Sequence, residues 1–232
     1  MNTPLPSVRQ HLRQRVARAA RGAASVTASV AAFATACAMA SIAAAAPPAE
    51  AGAAPAAASA IHDRATLSTL SGTWASTQPE PWYGAWGTRE FTFDRGQWSL
   101  RFTFALDPAM KTPVFEFRTG GPYYIAQSSR SVAGAFEAVF MEDAKFVTLR
   151  TRDPRLVQAT GLAACGLVAD VEKDISAQGC AGWKPVAQCR EDHDLLALGD
   201  GGGLHFGVRP RDNDMCTSDK RPTALLPAVM RR

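Results

Sequence analysis

The chain has 232 residues, 47% of them hydrophobic and 20% charged, with a formal net charge of +4. Of its 25 Lys and Arg and 21 Asp and Glu, residues 1–51 carry five arginines and the single acid Glu50, leaving 20 of each sign. The remainder therefore lacks the basic surplus that nucleic-acid binding requires, and residues 67–230 are long enough for one domain with its own core.

The N-terminus sets the compartment. Arg9, Arg13, Arg15, Arg18 and Arg21 occur without an acid, and residues 23–46 carry no charge and are mostly Ala, Val and Ser. This pattern predicts a secretory signal over residues 1–51, with small-residue cleavage sites at Ala49-Glu50-Ala51 or Ala58-Ser59-Ala60. The run is also long enough to span a bilayer, so a retained membrane tether is the rival reading. Ala34-Thr35-Ala36-Cys37 is a poor lipoprotein box, lacking the usual leucine. Residues 52–66 are Ala/Pro-rich and are expected to be a disordered linker. The expected location is exported, periplasmic or secreted.

With Cys37 assigned to the signal, four cysteines remain: Cys165, Cys180, Cys189 and Cys216. An even count in an exported chain predicts two disulfides, and of the three connectivities the sequential one, Cys165–Cys180 with Cys189–Cys216, is expected. His62, His193 and His205 are not clustered with them at ligand spacing, so no metal is expected.

Strand patterns follow from Leu70. In "FTFDRGQWSLRFTFAL" two alternating runs flank Asp94-Arg95-Gly96 and predict a hairpin. Phe91 and Phe93 lie on the apolar face of its first arm, and Trp98, Leu100, Phe102 and Phe104 on that of its second. "PVFEFRT" turns Phe115 and Phe117 inward, with Gly120-Gly121-Pro122 expected to break the strand. "YYIAQ" and "VAGAFEAVF" are further strands, and "KFVTLRT" is expected to pair with the latter across Glu142-Asp143. "ADVEKDIS" fits a strand or one short helix. "DLLALGDGGGLHFGVRP" predicts a hairpin turning at Asp200–Gly203, with Leu196 and Leu198 facing Leu204, Phe206 and Val208. The whole reads as an antiparallel all-β barrel or sandwich.

Leu70-Ser71-Gly72-Thr73-Trp74-Ala75-Ser76 resembles the Leu-x-Gly-x-Trp-x-Ser opening of the adenomatosis polyposis coli down-regulated domain family. Similar signatures follow in the same order: Asp107-Pro108, Ser129-Arg130, Cys165-Gly166, Gly179-Cys180, Leu204-His205-Phe206-Gly207, Arg209-Pro210 and Lys220-Arg221-Pro222-Thr223-Ala224. The likeness covers residues 67–229. It departs at Pro79 and Met110, where the family carries cysteines, and at Pro81-Trp82-Tyr83-Gly84, where it carries an Arg-Pro-Gly turn. Retention of Cys165 and Cys180 is what the resemblance implies for a bonded pair. It further implies a lipocalin-like (calycin-type), partly open barrel with an apolar interior, here as a bacterial single-domain member. The animal members' signalling role does not transfer to a single-domain bacterial chain, whereas apolar-ligand binding does as an expectation.

No nucleophile elbow, zinc-protease motif or phosphate loop is present, so neither catalysis nor a cofactor is expected. "CREDHDLL" gathers Glu191, Asp192, His193 and Asp194 and is expected to be a solvated loop, and His205 lies opposite the apolar face of its strand. The aromatics point instead to a binding cavity for a lipid or other apolar small molecule. Its candidate residues are Trp74, Trp82, Tyr83, Trp86, Trp98, Phe102, Phe104, Phe115 and Phe117, with the Trp82–Trp86 loop as the rim. The alternative is a protein-interaction module of the envelope, presenting that aromatic loop or a sheet edge to a protein partner.

Overall fold

The computed structural model describes residues 53–232. The signal predicted over residues 1–51, with its first cleavage site, lies outside the described residues. Helix α1 spans Ala53–Ser68, and strands follow at β1 Gly72–Ala75, β2 Glu80–Trp82, β3 Ala85–Asp94, β4 Gln97–Ala105 and β5 Pro113–Ser128. Next come β6 Phe136–Met141, β7 Ala144–Leu149, helix α2 Pro154–Ala159, β8 Glu172–Asp174, β9 Glu191–Leu198, β10 Leu204–Phe206 and β11 Met230–Arg231. Among the described residues no helix is long and apolar enough to cross a membrane.

The strands form a nearly closed antiparallel barrel, with neighbours in the order β10-β9-β6-β5-β4-β3-β1-β11. The C-terminal segment closes the ring. Leu204 and Val229 exchange backbone hydrogen bonds at 2.9 Å, Leu226 N–H donates to Phe206 O at 2.7 Å, and β11 pairs with β1. Closure leaves little unpaired edge for other chains to join.

The predicted β3–β4 hairpin is present, turning where Arg95 and Gly96 both take positive φ (48° and 76°), the conformation whose twist matches that of the flanking strands. Two expectations about the middle of the chain are corrected. Gly120-Gly121-Pro122 does not break a strand; β5 runs through it for 16 residues. A Cβ on Gly120 would lie 2.6 Å from Trp98 O, and one on Gly121 would lie 2.5 Å from Met141 O, so glycine is required because neighbouring backbones close in there. "KFVTLRT" does not pair with "VAGAFEAVF" either. β6 and β7 run end to end along β5, β6 opposite Tyr123–Ser128 and β7 opposite Phe115–Gly120, with Glu142-Asp143 as the offset between them. The ambiguous "ADVEKDIS" segment supplies β8, which pairs with β7.

Residues 52–66, expected to be disordered, are largely helix α1. Alanine has the highest intrinsic helix propensity, and the end of the helix is anchored by packing. Leu67 is fully buried, and the Tyr123 hydroxyl donates to Leu67 O at 3.0 Å while accepting from Leu70 N–H at 3.1 Å. The helix end thus seals one end of the barrel.

Above that seal, Trp74, Phe93, Tyr123, Phe136, Leu196 and Leu204 form a solid layer. Phe91 stacks on Phe206 with ring centroids 3.9 Å apart, and Trp98 packs on Phe140 at 4.8 Å. Each fully buried ring or aliphatic side chain contributes roughly 1.5–3 kcal/mol. A second apolar group, including Phe102, Phe104, Phe115, Phe117, Leu149, Leu162 and Ile175, occupies the other half of the barrel. There the interior opens.

Both expected disulfides are formed, Cys165–Cys180 and Cys189–Cys216. The first ties the chain just after Leu162 to the chain just before Trp183; the second ties the start of β9 to the chain beyond Arg209. Such bonds form and persist in oxidising compartments.

Candidate functional site

The open half of the barrel contains a cavity of about 430 Å³. Strand alternation decides which side chains reach it. In β4 and β5 it turns Trp98, Leu100, Phe102, Phe104, Phe115 and Phe117 inward, as the sequence predicts. Phe91, Phe140 and Phe206 join Trp98 at the bottom, while Leu162, Trp183, Tyr83 and the segment Arg211–Asn213 surround the mouth. Trp183 stacks on Phe117 at 4.7 Å, the planes 8° apart. The two disulfides therefore hold the loops that shape the entrance.

The nine predicted site residues divide. Trp82, Tyr83, Trp98, Phe102, Phe104, Phe115 and Phe117 line the cavity. Trp74 and Trp86 do not. Trp74 belongs to the solid layer, edge-on to Phe93 at 5.6 Å, and its Nε1–H donates to Gly202 O at 2.9 Å. The expected Trp82–Trp86 loop is a tight β2–β3 hairpin turning at Tyr83 and Gly84, both at positive φ. That places Trp82 and Tyr83 at the rim but puts Trp86 on β3 with the opposite parity to Phe91. Trp86 faces outward.

The interior also holds charge. "CREDHDLL" is not a solvated loop: it supplies β9, whose Asp192 and Asp194 face the cavity while His193 points away and lies 3.0 Å from Glu191. Arg209 clamps Asp192, Nη1 donating to Oδ2 at 2.7 Å and Nη2 to Oδ1 at 3.1 Å. Arg89, inward from β3, pairs with buried Glu80. Glu142, in the offset between β6 and β7, meets Lys145 Nζ at 2.7 Å, and Nζ also donates to Cys189 O at 2.8 Å and Lys184 O at 3.1 Å. Asp194 Oδ1 accepts from Leu195 N–H at 2.7 Å and Gly207 N–H at 2.9 Å. His205 lies outside the barrel face, its Nδ1 2.8 Å from Leu226 O. Among the described residues no group of three or more His, Cys, Asp and Glu side chains is placed to hold a metal ion.

Loss of water governs ionisation here. Burial first, then repulsion from Asp192, pushes the Asp194 carboxyl up to about 7, against the opposing pull of Arg209 and the two N–H donors. Glu142 is raised for the same two reasons, with Lys145 opposing. Burial works against the charge on Arg209, yet Asp192, with Asp194 and Glu142 behind it, holds its pKa above the usual guanidinium range. Desolvation also raises Tyr83 at the rim.

Among the described residues two buried donors have no partner, Trp82 Nε1 and Arg89 Nη1. Both side chains line the cavity, and the Arg89 guanidinium carbon lies 6.0 Å from the ring centres of Trp82, Phe91 and Phe206. An unanswered buried donor costs about 1–3 kcal/mol. The site thus combines an aromatic lining, paired charges, one carboxyl poised near neutrality and unused donors. No family model matches the chain, and no curated protein is similar to it in sequence.

Proposed function

We propose that this chain is an exported, non-catalytic binding protein that holds a lipid or other apolar small molecule inside its barrel. The observation that carries this reading is the cavity of about 430 Å³, roofed by disulfide-tied loops and lined by rings that a solid barrel would pack against one another. Small-molecule sites are concave, mainly apolar and on the order of 300–1,000 Å³, with a few placed polar groups. The likeness to adenomatosis polyposis coli down-regulated domains supports the same reading, as does the Arg-led, alanine-rich N-terminus for export to the periplasm or medium. Arg89, Arg209 and Lys145 each have a carboxylate partner, which suits orientation of a ligand better than turnover.

Mass spectrometry of organic extracts of the purified protein tests this, followed by titration of the stripped protein while its tryptophan emission is recorded. A stoichiometric extracted lipid, or a saturable change in emission with an added amphiphile, is the expected result. Empty extracts together with unchanged emission refute it.

Tyr83, 55% exposed at the mouth, favours a second reading in which a protein partner docks there. Tyr83→Ala would then abolish complex formation without altering small-molecule uptake.

A further inference from the structure

We infer that the ligand is an amphiphile with an uncharged or cationic, hydrogen-bond-donating head, and that Asp194 receives that head. This rests on the binding function proposed above and goes further by naming the head-group class.

The buried charges supply the argument. Four carboxylates, Glu80, Glu142, Asp192 and Asp194, are buried in and beside the cavity. Three cations answer them, and each is already engaged: Arg89 with Glu80 at 2.9 Å, Lys145 with Glu142 at 2.7 Å and Arg209 with Asp192 at 2.7 Å. Asp194 is left over. No cation forms an ion pair with it among the described residues; its Oδ1 takes two backbone N–H bonds, and its other oxygen has no hydrogen-bond partner there.

A fatty-acid anion brought against Asp194 would add a further negative charge where each buried cation is already engaged, and charge removed from water without a partner is strongly disfavoured; Arg211, a lining cation with no ion pair among the described residues, is exposed at the mouth. An ammonium or hydroxyl head would instead donate to Asp194, and hydrogen bonds with one ionised member are the stronger kind. A hydroxyl can also accept a hydrogen bond, which an ammonium cannot. The tail would then lie along Phe102, Phe115, Phe117 and Trp183. The raised ionisation of Asp194 accords with a carboxyl that lacks its own cation.

The test compares dodecanol, dodecylamine and laurate, which share a chain length and differ in the head. Each is titrated into the full chain, stripped of ligand, at pH 8 with tryptophan emission as the signal. The alcohol and the amine are expected to bind at least ~10-fold more tightly than laurate. In Asp194→Asn, whose amide oxygen can still accept the two backbone bonds, the amine should weaken ~10-fold and the alcohol less than ~3-fold. Laurate binding as tightly as the other two overturns the head-group assignment and leaves the binding function standing. If no amphiphile binds at all, the binding function itself falls, and this inference with it. The wild-type comparison needs no variant, so a misfolded Asp194→Asn protein would not spare the proposal.

Discussion

Arg89 and Glu80 form a two-pronged ion pair inside the barrel, Nε donating to Oε2 and Nη2 to Oε1, each at 2.9 Å. The pair fastens short β2 to β3, and Arg89 Nη2 also donates to Pro227 O at 2.9 Å in the segment that closes the ring. Removing one partner strands a buried charge, which typically costs about 3–5 kcal/mol, whereas replacing both with apolar groups is often neutral. Glu80→Leu should therefore lower stability by ~3 kcal/mol in urea unfolding, and Glu80→Leu with Arg89→Met should recover most of that loss. A single variant within 1 kcal/mol of wild type, on the scale of a surface pair, would show that the pair is idle.

Asp194 gives a pH signature. Its folded pKa, raised to about 7 by burial and by Asp192, lies above its unfolded value near 4. The folded state therefore binds more protons than the unfolded chain between those values. The contribution to stability is fully present below about pH 4 and is lost as pH rises through about 7. Glu142, raised by the same causes, acts in the same direction. Wild type should accordingly lose stability, on the order of a few kcal/mol, between pH 4 and pH 8 relative to Asp194→Asn, read as diverging denaturant midpoints. Parallel pH profiles would mean that Asp194 titrates normally.

The bridges separate stability from site geometry. Cys165–Cys180 spans 15 residues and Cys189–Cys216 spans 27, so each should contribute about 3–4 kcal/mol on the chain-entropy view. Replacing Cys165 and Cys180 together with alanine should lower the midpoint accordingly. It should also weaken ligand binding, because the bridge ties the chain just after Leu162 to the chain just before Trp183, and both side chains line the cavity. Intact affinity in a folded double variant would remove this loop from the site.

The β-class, the β3–β4 and β9–β10 hairpins, the disulfides and the aromatic lining were legible because each depends on local alternation or on a count. The path of β5 was not. Two glycines and a proline normally end a strand, and only the approach of Trp98 and Met141 from neighbouring strands shows why glycines stand inside this one. The end-to-end relation of β6 and β7 was hidden in the same way, since a two-residue corner reads as a hairpin turn until a long partner strand spans it. Arg89 was within reach: it shares parity with Phe91 and Phe93 on β3, and that same parity sends Trp86 outward. Asp192 and Asp194 were harder to assign. On β9 they share the parity of Leu196 and Leu198, but Glu191 and His193 alternate with them, so the strand begins polar on both faces and reads as a solvated approach to the apolar run. Helix α1 was masked by a composition equally suited to a linker, and its order comes from the docking of Leu67.

The most direct measurement is titration of the full chain, stripped of ligand, with the neutral fluorescent dye N-phenylnaphthylamine, in wild type, Trp183→Ala and Trp86→Ala. We predict saturable binding of one dye per chain, weakened ~10-fold by Trp183→Ala and unchanged by Trp86→Ala, because only the first indole borders the cavity. Emission that never saturates, or equal losses from both variants, would contradict a ligand held within the barrel.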